Sequence, residues 1–177
     1  MKNGVQVYYT RTDDNRLASH QKDDLQARCD LAYEKRADYF ISIHVNAVEG
    51  NKEVSGFEVY YYGGNEKSFT LAKNVSNCME ELNYSKNRGV LEGNSLYVIK
   101  NNEIDSILIE LGYIRSTDIK YLTNNSKTKK LSKKIAEGII DSIKEKWYNT
   151  TRGKRYVKKW IKYNIMDTKS YKTWKNE

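Results

Sequence analysis

Residues 37–47, ADYFISIHVNA, predict a buried β-strand that ends at polar side chains. The central residues 39–43 are mostly apolar and do not alternate with polar ones, which is typical of a strand covered on both faces of a sheet. His44 and Asn46 follow at the point where this strand ends. The segment therefore indicates an α/β fold with functional groups at one edge of its sheet.

A second apolar run adds a carboxylate to this edge. Residues 106–109 have the same strand-like composition and end at Glu110. An imidazole and a carboxylate that each follow a buried strand can meet at one edge of a sheet, and this arrangement is typical of a zinc hydrolase. A catalytic zinc normally takes three protein ligands, whereas this sequence offers one convincing ligand, His44.

Strands and helices alternate along the rest of the chain. The apolar residues recur at intervals of two in some segments and of three or four in others, and turn residues such as Gly63-Gly64 separate these segments. The pattern predicts strands over 4–10, 39–43, 56–62, 96–100 and 106–109, and helices over 22–36, 65–82 and 126–147. We therefore expect a three-layer α/β domain in which helices flank a twisted, mostly parallel sheet.

Composition and cysteine placement indicate a globular domain with a modest core. Hydrophobic residues make up 38% of the 177 residues, and no apolar run approaches the roughly 20 residues that span a bilayer. Cys29 and Cys78 fall at apolar positions of two predicted helices. We interpret both cysteines as free thiols packed inside the protein and assign them no chemistry.

The positive charge is concentrated at the C-terminal end. The formal net charge is +8, and residues 149–177 contain nine Lys and Arg against two acidic residues. Residues 1–148 are therefore close to neutral, which argues against nucleic-acid binding by the main domain. We expect a catalytic domain over 1–148 and a basic, aromatic tail over 149–177. The tail is interpreted as the start of a second module, a helix that lies across the main domain, or a solvated extension.

Five sequence blocks occur along the chain in an order that is unlikely to arise by chance. They are ADYFISIHVNA (37–47), SGFEVYY (55–61), RGV (88–90), LYVI (96–99) and ILIELGYI (107–114). This series resembles the zinc-dependent N-acetylmuramoyl-L-alanine amidases of the amidase-3 family, and phage and prophage lysins with this catalytic domain look similar. The resemblance covers about residues 4–143.

The resemblance implies an activity, a cofactor and two site residues. The family hydrolyses the amide bond between N-acetylmuramic acid and L-alanine in peptidoglycan. The motif position of His44 binds Zn²⁺ in this family, and the motif position of Glu110 is the catalytic carboxylate near the metal-bound water. Zinc activates the water and polarises the amide carbonyl, while the carboxylate accepts a proton from the water and returns it to the leaving amine.

The sequence departs from the family pattern upstream. The two other zinc ligands of the family, a His in a Pro-Gly-His-Gly turn and a Glu on the following helix, precede the strand predicted over 4–10, and the chain has no matching residues. We therefore expect the first strand and first helix of the family domain to be missing. His20 is the only other histidine, and we interpret it as a surface residue because the matching family loop supplies no metal ligand.

Other matched positions have structural explanations. We interpret Arg28 as an internal salt-bridge partner, whereas Arg88 and Asn94 could face the substrate. None of the three is assigned a catalytic role, and the substrate-binding residues stay unknown at this stage.

Two functions from different classes agree with these observations. The first is zinc-dependent amidase activity on peptidoglycan, as in an endolysin or autolysin that acts at the cell wall. Residues 1–6 lack the apolar segment of a signal peptide, so we expect such a chain to stay in the cytoplasm until it is released. The second is a catalytically inactive remnant that binds the wall or regulates its turnover, with anionic wall polymers contacting the tail. Peptidoglycan is the expected partner in both cases, and neither nucleic acid nor a membrane span is expected.

Overall fold

The computed structural model describes residues 5–48, 54–148 and 160–161. Strands and helices alternate over most of this length, as the sequence predicts. In chain order the elements are β1 (Gln6–Val7), α1 (Gln21–Glu34), β2 (Phe40–Asn46), β3 (Phe57–Tyr61), α2 (Glu66–Glu80), β4 (Asn87–Glu92), α3 (Tyr97–Lys100), β5 (Ser106–Tyr113), α4 (Ile119–Leu122), α5 (Asn125–Tyr148) and β6 (Trp160–Ile161).

The central sheet has four strands in the order β2-β5-β3-β4. The outer pairs, β2 with β5 and β3 with β4, are parallel, and the inner pair, β5 with β3, is antiparallel. The sheet is therefore mixed but mostly parallel, which confirms the predicted α/β class. Because β3 runs against β5, the ends of β2 and β5 lie at the same sheet edge as the starts of β3 and β4.

Different helices cover the two faces of the sheet, which completes the predicted three layers. On one face, side chains such as Ile41, Val59 and Ile109 are fully buried in a cluster with α2 and α5. On the other face, Phe40 and Leu108 pack with residues of α1 and α3. Each fully buried large apolar side chain contributes about 1.5–3 kcal/mol to folding.

The segment predicted as a strand over 96–100 is instead the short helix α3, so this prediction was wrong. Val98 and Ile99 are adjacent, and both are buried in the cluster that contains Leu108. Adjacent residues of a strand point to opposite faces of a sheet, whereas one helical turn can direct both toward the same core. A short apolar run does not distinguish these two cases.

Two other strands differ from the prediction. β4 was not predicted, because its sequence NRGVLE is polar at one end and lies at the exposed edge of the sheet. β1 is much shorter than the predicted strand over 4–10, and it pairs in parallel with β6 in a separate two-stranded sheet. Apart from Trp160–Ile161, the predicted tail lies outside the described residues.

Both cysteines are free, as predicted, with Cys29 buried and Cys78 half-buried. Among the helices that the structure describes, none combines the length and the apolar character needed to cross a membrane.

Candidate functional site

Three ionisable residues lie in one row across three neighbouring strands. His44 on β2 is the register partner of Glu110 on β5. Glu110 is in turn directly opposite Glu58 on β3. Register partners on adjacent strands project from the same face of a sheet, so the sheet edge brings the two predicted site residues together and adds a second carboxylate beside them.

His44 and Glu110 open into a pocket of about 310 Å³ on the face covered by α1 and α3. Its lining also includes apolar residues of α1, α3 and β5, the uncharged Gln21, and charged residues from the loop before α1 and from α1 itself. Those charged residues are Arg11, Asp14, Arg16, Asp24 and Arg28.

His44 is held as a neutral imidazole. Its Nε2 shares a 2.6 Å hydrogen bond with Oγ of Ser42, which lies two residues earlier on the same face of β2. Burial, and then the positive charges of Arg28 and Arg11, lower the pKa of His44 to about 4. The imidazole therefore carries no charge at neutral pH, the form in which histidine binds metals or accepts a proton.

The pKa of Glu110 is shifted in the opposite direction to that of His44. Burial, and then the negative charge of Glu58, raise the pKa of Glu110 to about 8. Its Oε2 atom is buried, and none of the described residues forms a hydrogen bond with it. A carboxyl group that titrates near neutral pH can both donate and accept a proton, which is the property required of a general acid and base.

Glu58 is surrounded by donors and stays ionised. Burial disfavours its charge, but hydrogen bonds from Tyr60, Arg88 and Tyr113 outweigh burial and lower the pKa of Glu58. The Tyr60 hydroxyl donates at 2.6 Å and the Tyr113 hydroxyl at 3.1 Å, while Arg88 Nε donates to Oε1. Two neighbouring carboxyl groups with pKa values shifted in opposite directions are characteristic of acid and base pairs in active sites.

Sequence reasoning missed Glu58 and its tyrosine partners, Tyr60 and Tyr113, although a signal was present. Glu58 lies between Phe57 and Val59 in a strand, and the carboxylate is buried with 4% of its surface exposed. A buried charge needs a partner. An acidic residue inside a predicted core strand therefore points to a specific arginine or to several hydroxyl donors nearby.

The interpretation of Arg28 as an internal salt-bridge partner is confirmed. Arg28 pairs with Asp24 one turn earlier on α1, and both residues are buried. Asp24 also accepts a 2.8 Å hydrogen bond from the Leu17 backbone N–H. The pair thus fixes the loop before α1 against the helix and shapes one wall of the pocket.

The remaining sequence candidates lie outside the row. His20 is an exposed residue at the start of α1, as interpreted, and its side chain makes no capping hydrogen bond. Asn94 accepts a 2.7 Å hydrogen bond from Gly63 N–H and donates to Glu92, so it stabilises the connection between two loops.

The described residues do not fit a zinc site of the catalytic kind. Such a site needs three protein ligands around the metal. In the part of the chain that the structure describes, no group of three or more His, Cys, Asp or Glu side chains could hold a metal ion. Asp24 lines the same pocket as His44, but its carboxylate is paired with Arg28. Glu58 lies two strands from His44, and its carboxylate is paired with Arg88.

Comparison with known proteins identifies a family that this chain matches over most of its length. The family model for N-acetylmuramoyl-L-alanine amidases, Amidase_3, matches residues 1–141. An uncharacterized cell wall amidase of Bacillus anthracis is 30% identical over 149 residues, which cover 79% of this chain and 28% of the relative. The germination-specific N-acetylmuramoyl-L-alanine amidase of Bacillus subtilis (strain 168) is 28% identical over 152 residues, which cover 81% of this chain and 64% of the relative. The chain thus spans less than two thirds of the length of either relative.

A solved structure shares the fold. The crystal structure of N-acetylmuramoyl-L-alanine amidase from Clostridium difficile 630 superposes with a TM-score of 0.72 at 27% sequence identity. The superposition covers 80% of this chain and 73% of that chain. The α/β fold of this chain is therefore similar to that of an amidase over the superposed residues.

Proposed function

The chain belongs to the Amidase_3 family of N-acetylmuramoyl-L-alanine amidases, which are hydrolases, and we propose that it hydrolyses the amide bond between N-acetylmuramic acid and L-alanine in peptidoglycan. The observation that carries this proposal is the pairing of Glu110 with His44 at one sheet edge, with Oε2 of Glu110 buried and Glu58 directly opposite on β3. Cell-wall degradation is then the role of the protein, and the bacterial cell wall is its place of action.

We assign the proton transfers to Glu110. In its ionised form Glu110 accepts a proton from the attacking water, and in its protonated form it gives a proton to the amine that leaves with the peptide. Both forms are available near neutral pH because burial and the charge of Glu58 raise the pKa of Glu110 to about 8. The neutral imidazole of His44 lies beside this carboxyl on the adjacent strand.

Zinc dependence is a separate part of the proposal. The resemblance implies Zn²⁺ with His44 as one ligand, while the described residues supply no set of three ligands. Elemental analysis of the purified chain and of His44→Ala tests this part. Stoichiometric zinc that is lost in His44→Ala supports it, and zinc at background level in the unchanged chain contradicts it.

The amidase activity is tested on purified cell walls. Cleavage of the proposed bond releases peptides with a new N-terminal alanine, which amino-group labelling and mass spectrometry detect. The assay is run with added Zn²⁺ and with a chelator, so that activity and metal dependence are read separately. New N-terminal alanine supports the proposal, whereas its absence under both conditions contradicts it.

A second candidate is a wall-binding or regulatory protein without hydrolytic activity. The observation that favours it is the lack of three metal ligands among the described residues. Residues 149–177 would then provide contacts to anionic wall polymers through nine Lys and Arg. Co-sedimentation with purified walls, weakened by salt and without release of N-terminal alanine, supports this candidate over the first.

A further inference from the structure

Arg88 extends the polar row of His44, Glu110 and Glu58 onto the fourth strand. It lies near the start of β4, where the register between β3 and β4 shifts, and it forms an ion pair with Glu58. Neighbouring strands are about 4.8 Å apart, so β4 lies about 10 Å from β5. The row therefore has one member on each of the four strands, namely His44, Glu110, Glu58 and Arg88.

Three contacts hold the Arg88 side chain in one place. Its Nε–H donates to Glu58 Oε1, and its Cζ atom lies 5.6 Å from the centre of the Tyr113 ring. Its aliphatic part lies over Gly56, where an added Cβ would be 2.6 Å from Cγ and Cδ of Arg88. A side chain that is ordered before binding loses little conformational entropy when a ligand arrives.

Within the described part of the chain, the two terminal nitrogens of Arg88 have no hydrogen-bond acceptor. The side chain is 36% exposed. Its Nε–H is used by Glu58, and none of the described residues accepts a hydrogen bond from either Nη atom. A guanidinium group has donors and no acceptor, and its flat fork fits the two oxygens of a carboxylate. A sugar hydroxyl lacks the charge that makes such a bond strong.

We propose that Arg88 is a specificity-determining residue that binds a carboxylate within the first three residues of the peptidoglycan stem peptide. The proposal rests on the amidase function proposed above. The Arg88 guanidinium reaches back to Glu58, which lies opposite Glu110 on the strand next to β5. It is therefore no farther from Glu110 than the distance of about 10 Å between β5 and β4, which an extended peptide spans with about three residues of about 3.3 Å each. The proposal places the peptide, which contains the leaving amine, on the β4 side of Glu110 and the glycan on the β2 side.

Binding of stem tripeptides tests this proposal without any cleavage. The ligands are two L-alanyl tripeptides that differ only in having free carboxylates or carboxamides on the second and third residues, and calorimetry measures both affinities. We expect the unchanged chain to bind the carboxylate form about tenfold more tightly. Arg88→Gln should remove this preference. Arg36→Gln should keep it, because Arg36 is an exposed arginine beyond the end of α1, before β2 begins.

Arg88→Lys separates recognition from a purely structural ion pair. Lysine keeps the charge next to Glu58 but has no fork, so we expect an unchanged melting temperature and a preference that falls several-fold. If Arg88→Gln does not fold, Arg88→Lys alone tests whether the preference for the carboxylate peptide depends on the guanidinium group. Equal binding of both peptides by the unchanged chain, or an undiminished preference in Arg88→Gln or Arg88→Lys, overturns the proposal.

Two further readouts identify the source of the anion and separate this proposal from the amidase function. Glycerol phosphate serves as a probe for wall polymers, and tighter binding of it than of the carboxylate peptide overturns the assignment to the stem. The free tripeptides contain no bond that the amidase would cut. An Arg88-dependent preference without wall hydrolysis therefore contradicts the amidase function alone, and wall hydrolysis without such a preference contradicts the carboxylate site alone.

Discussion

Glu110 and Glu58 are directly opposite each other on β5 and β3, yet their surroundings favour different protonation states. Glu58 receives hydrogen bonds from Tyr60, Arg88 and Tyr113, which lower its pKa. Glu110 receives none at its buried Oε2 from the described residues, and its pKa rises to about 8. The ionised member of the pair thus helps to keep the other protonated.

We expect Glu110→Gln to reduce wall hydrolysis by about 10²–10⁴-fold, because the amide of glutamine cannot transfer the proton. The side chain keeps its size, so the circular dichroism spectrum should be unchanged. The rate of release of N-terminal alanine measures the effect. Glu103→Gln is the matched control, since Glu103 is exposed in the loop before β5, and a comparable loss in this control would contradict the role of Glu110.

The stability of the metal-free protein should depend on pH through Glu110. The pKa of Glu110 is raised to about 8 in the folded protein, from roughly 4.3 in an unfolded chain. Folding therefore favours the protonated form, and the stabilisation is complete below about pH 4 and is lost as the pH rises through about 8. Between about pH 5 and 8 we expect the free energy of unfolding to fall by on the order of 3 kcal/mol relative to Glu110→Gln.

Urea denaturation with a chelator present, at several pH values, checks this dependence. The glutamine variant is the proper reference because it resembles the protonated carboxyl and removes only this titration. If the free energies of unfolding of the two proteins changed with pH in parallel, the pKa of Glu110 would not be raised in the folded protein.

Replacement of Gly56 by alanine should be much more harmful than the same change at Gly64. Both glycines have positive φ values, of 121° and 82°, which cost an L-residue about 1–2 kcal/mol. At Gly56 the new Cβ would also lie 2.6 Å from the Arg88 side chain and 2.7 Å from the Lys86 carbonyl oxygen, whereas at Gly64 it meets nothing within 4 Å. We expect thermal denaturation to show losses of about 3 kcal/mol for Gly56→Ala and about 1 kcal/mol for Gly64→Ala. Equal losses would contradict the close contact with Arg88.

Asp118→Ala should destabilise the loops around the site by about 2–4 kcal/mol. Asp118 is buried and accepts hydrogen bonds from the backbone N–H groups of Gly56 and Tyr113, each at 3.0 Å, and from the Ser85 hydroxyl. Its removal leaves buried donors without an acceptor. The control is Asp141→Ala, because the Asp141 pair with Lys144 is exposed and contributes at most about 1 kcal/mol. Similar midpoints of denaturation for both variants would count against this role of Asp118.

The elements that contain the motifs could be predicted from the sequence because their apolar residues are regularly spaced. The predicted strand over 106–109 and the predicted helix over 126–147 lie within β5 and α5. The pairing of His44 with Glu110 also followed, since two buried strands that end in polar residues tend to end at one edge. The helix α3 could not be distinguished from a strand, because its run of apolar residues is too short to show a period.

The contribution of β3 and β4 to the site could not be predicted from periodicity. It depends on β3 running antiparallel to β5, which places Glu58 opposite Glu110. It also depends on the shift in register near Arg88, which lets this residue reach Glu58. Strand direction and register are set by contacts between distant parts of the chain, and the local pattern of a single strand contains neither.

The polar row also protects the protein against misfolding. A slip of one residue in any strand moves its side chains to the opposite face, and for β5 that would bury Glu110 in the apolar layer beneath α2 and α5, where Ile109 now packs. A carboxyl group without a hydrogen-bond partner in such a place is disfavoured even when it is protonated. The residues proposed to cut and recognise the substrate therefore also help to specify the register of the strands. Only one register places all of them on the same face at the sheet edge.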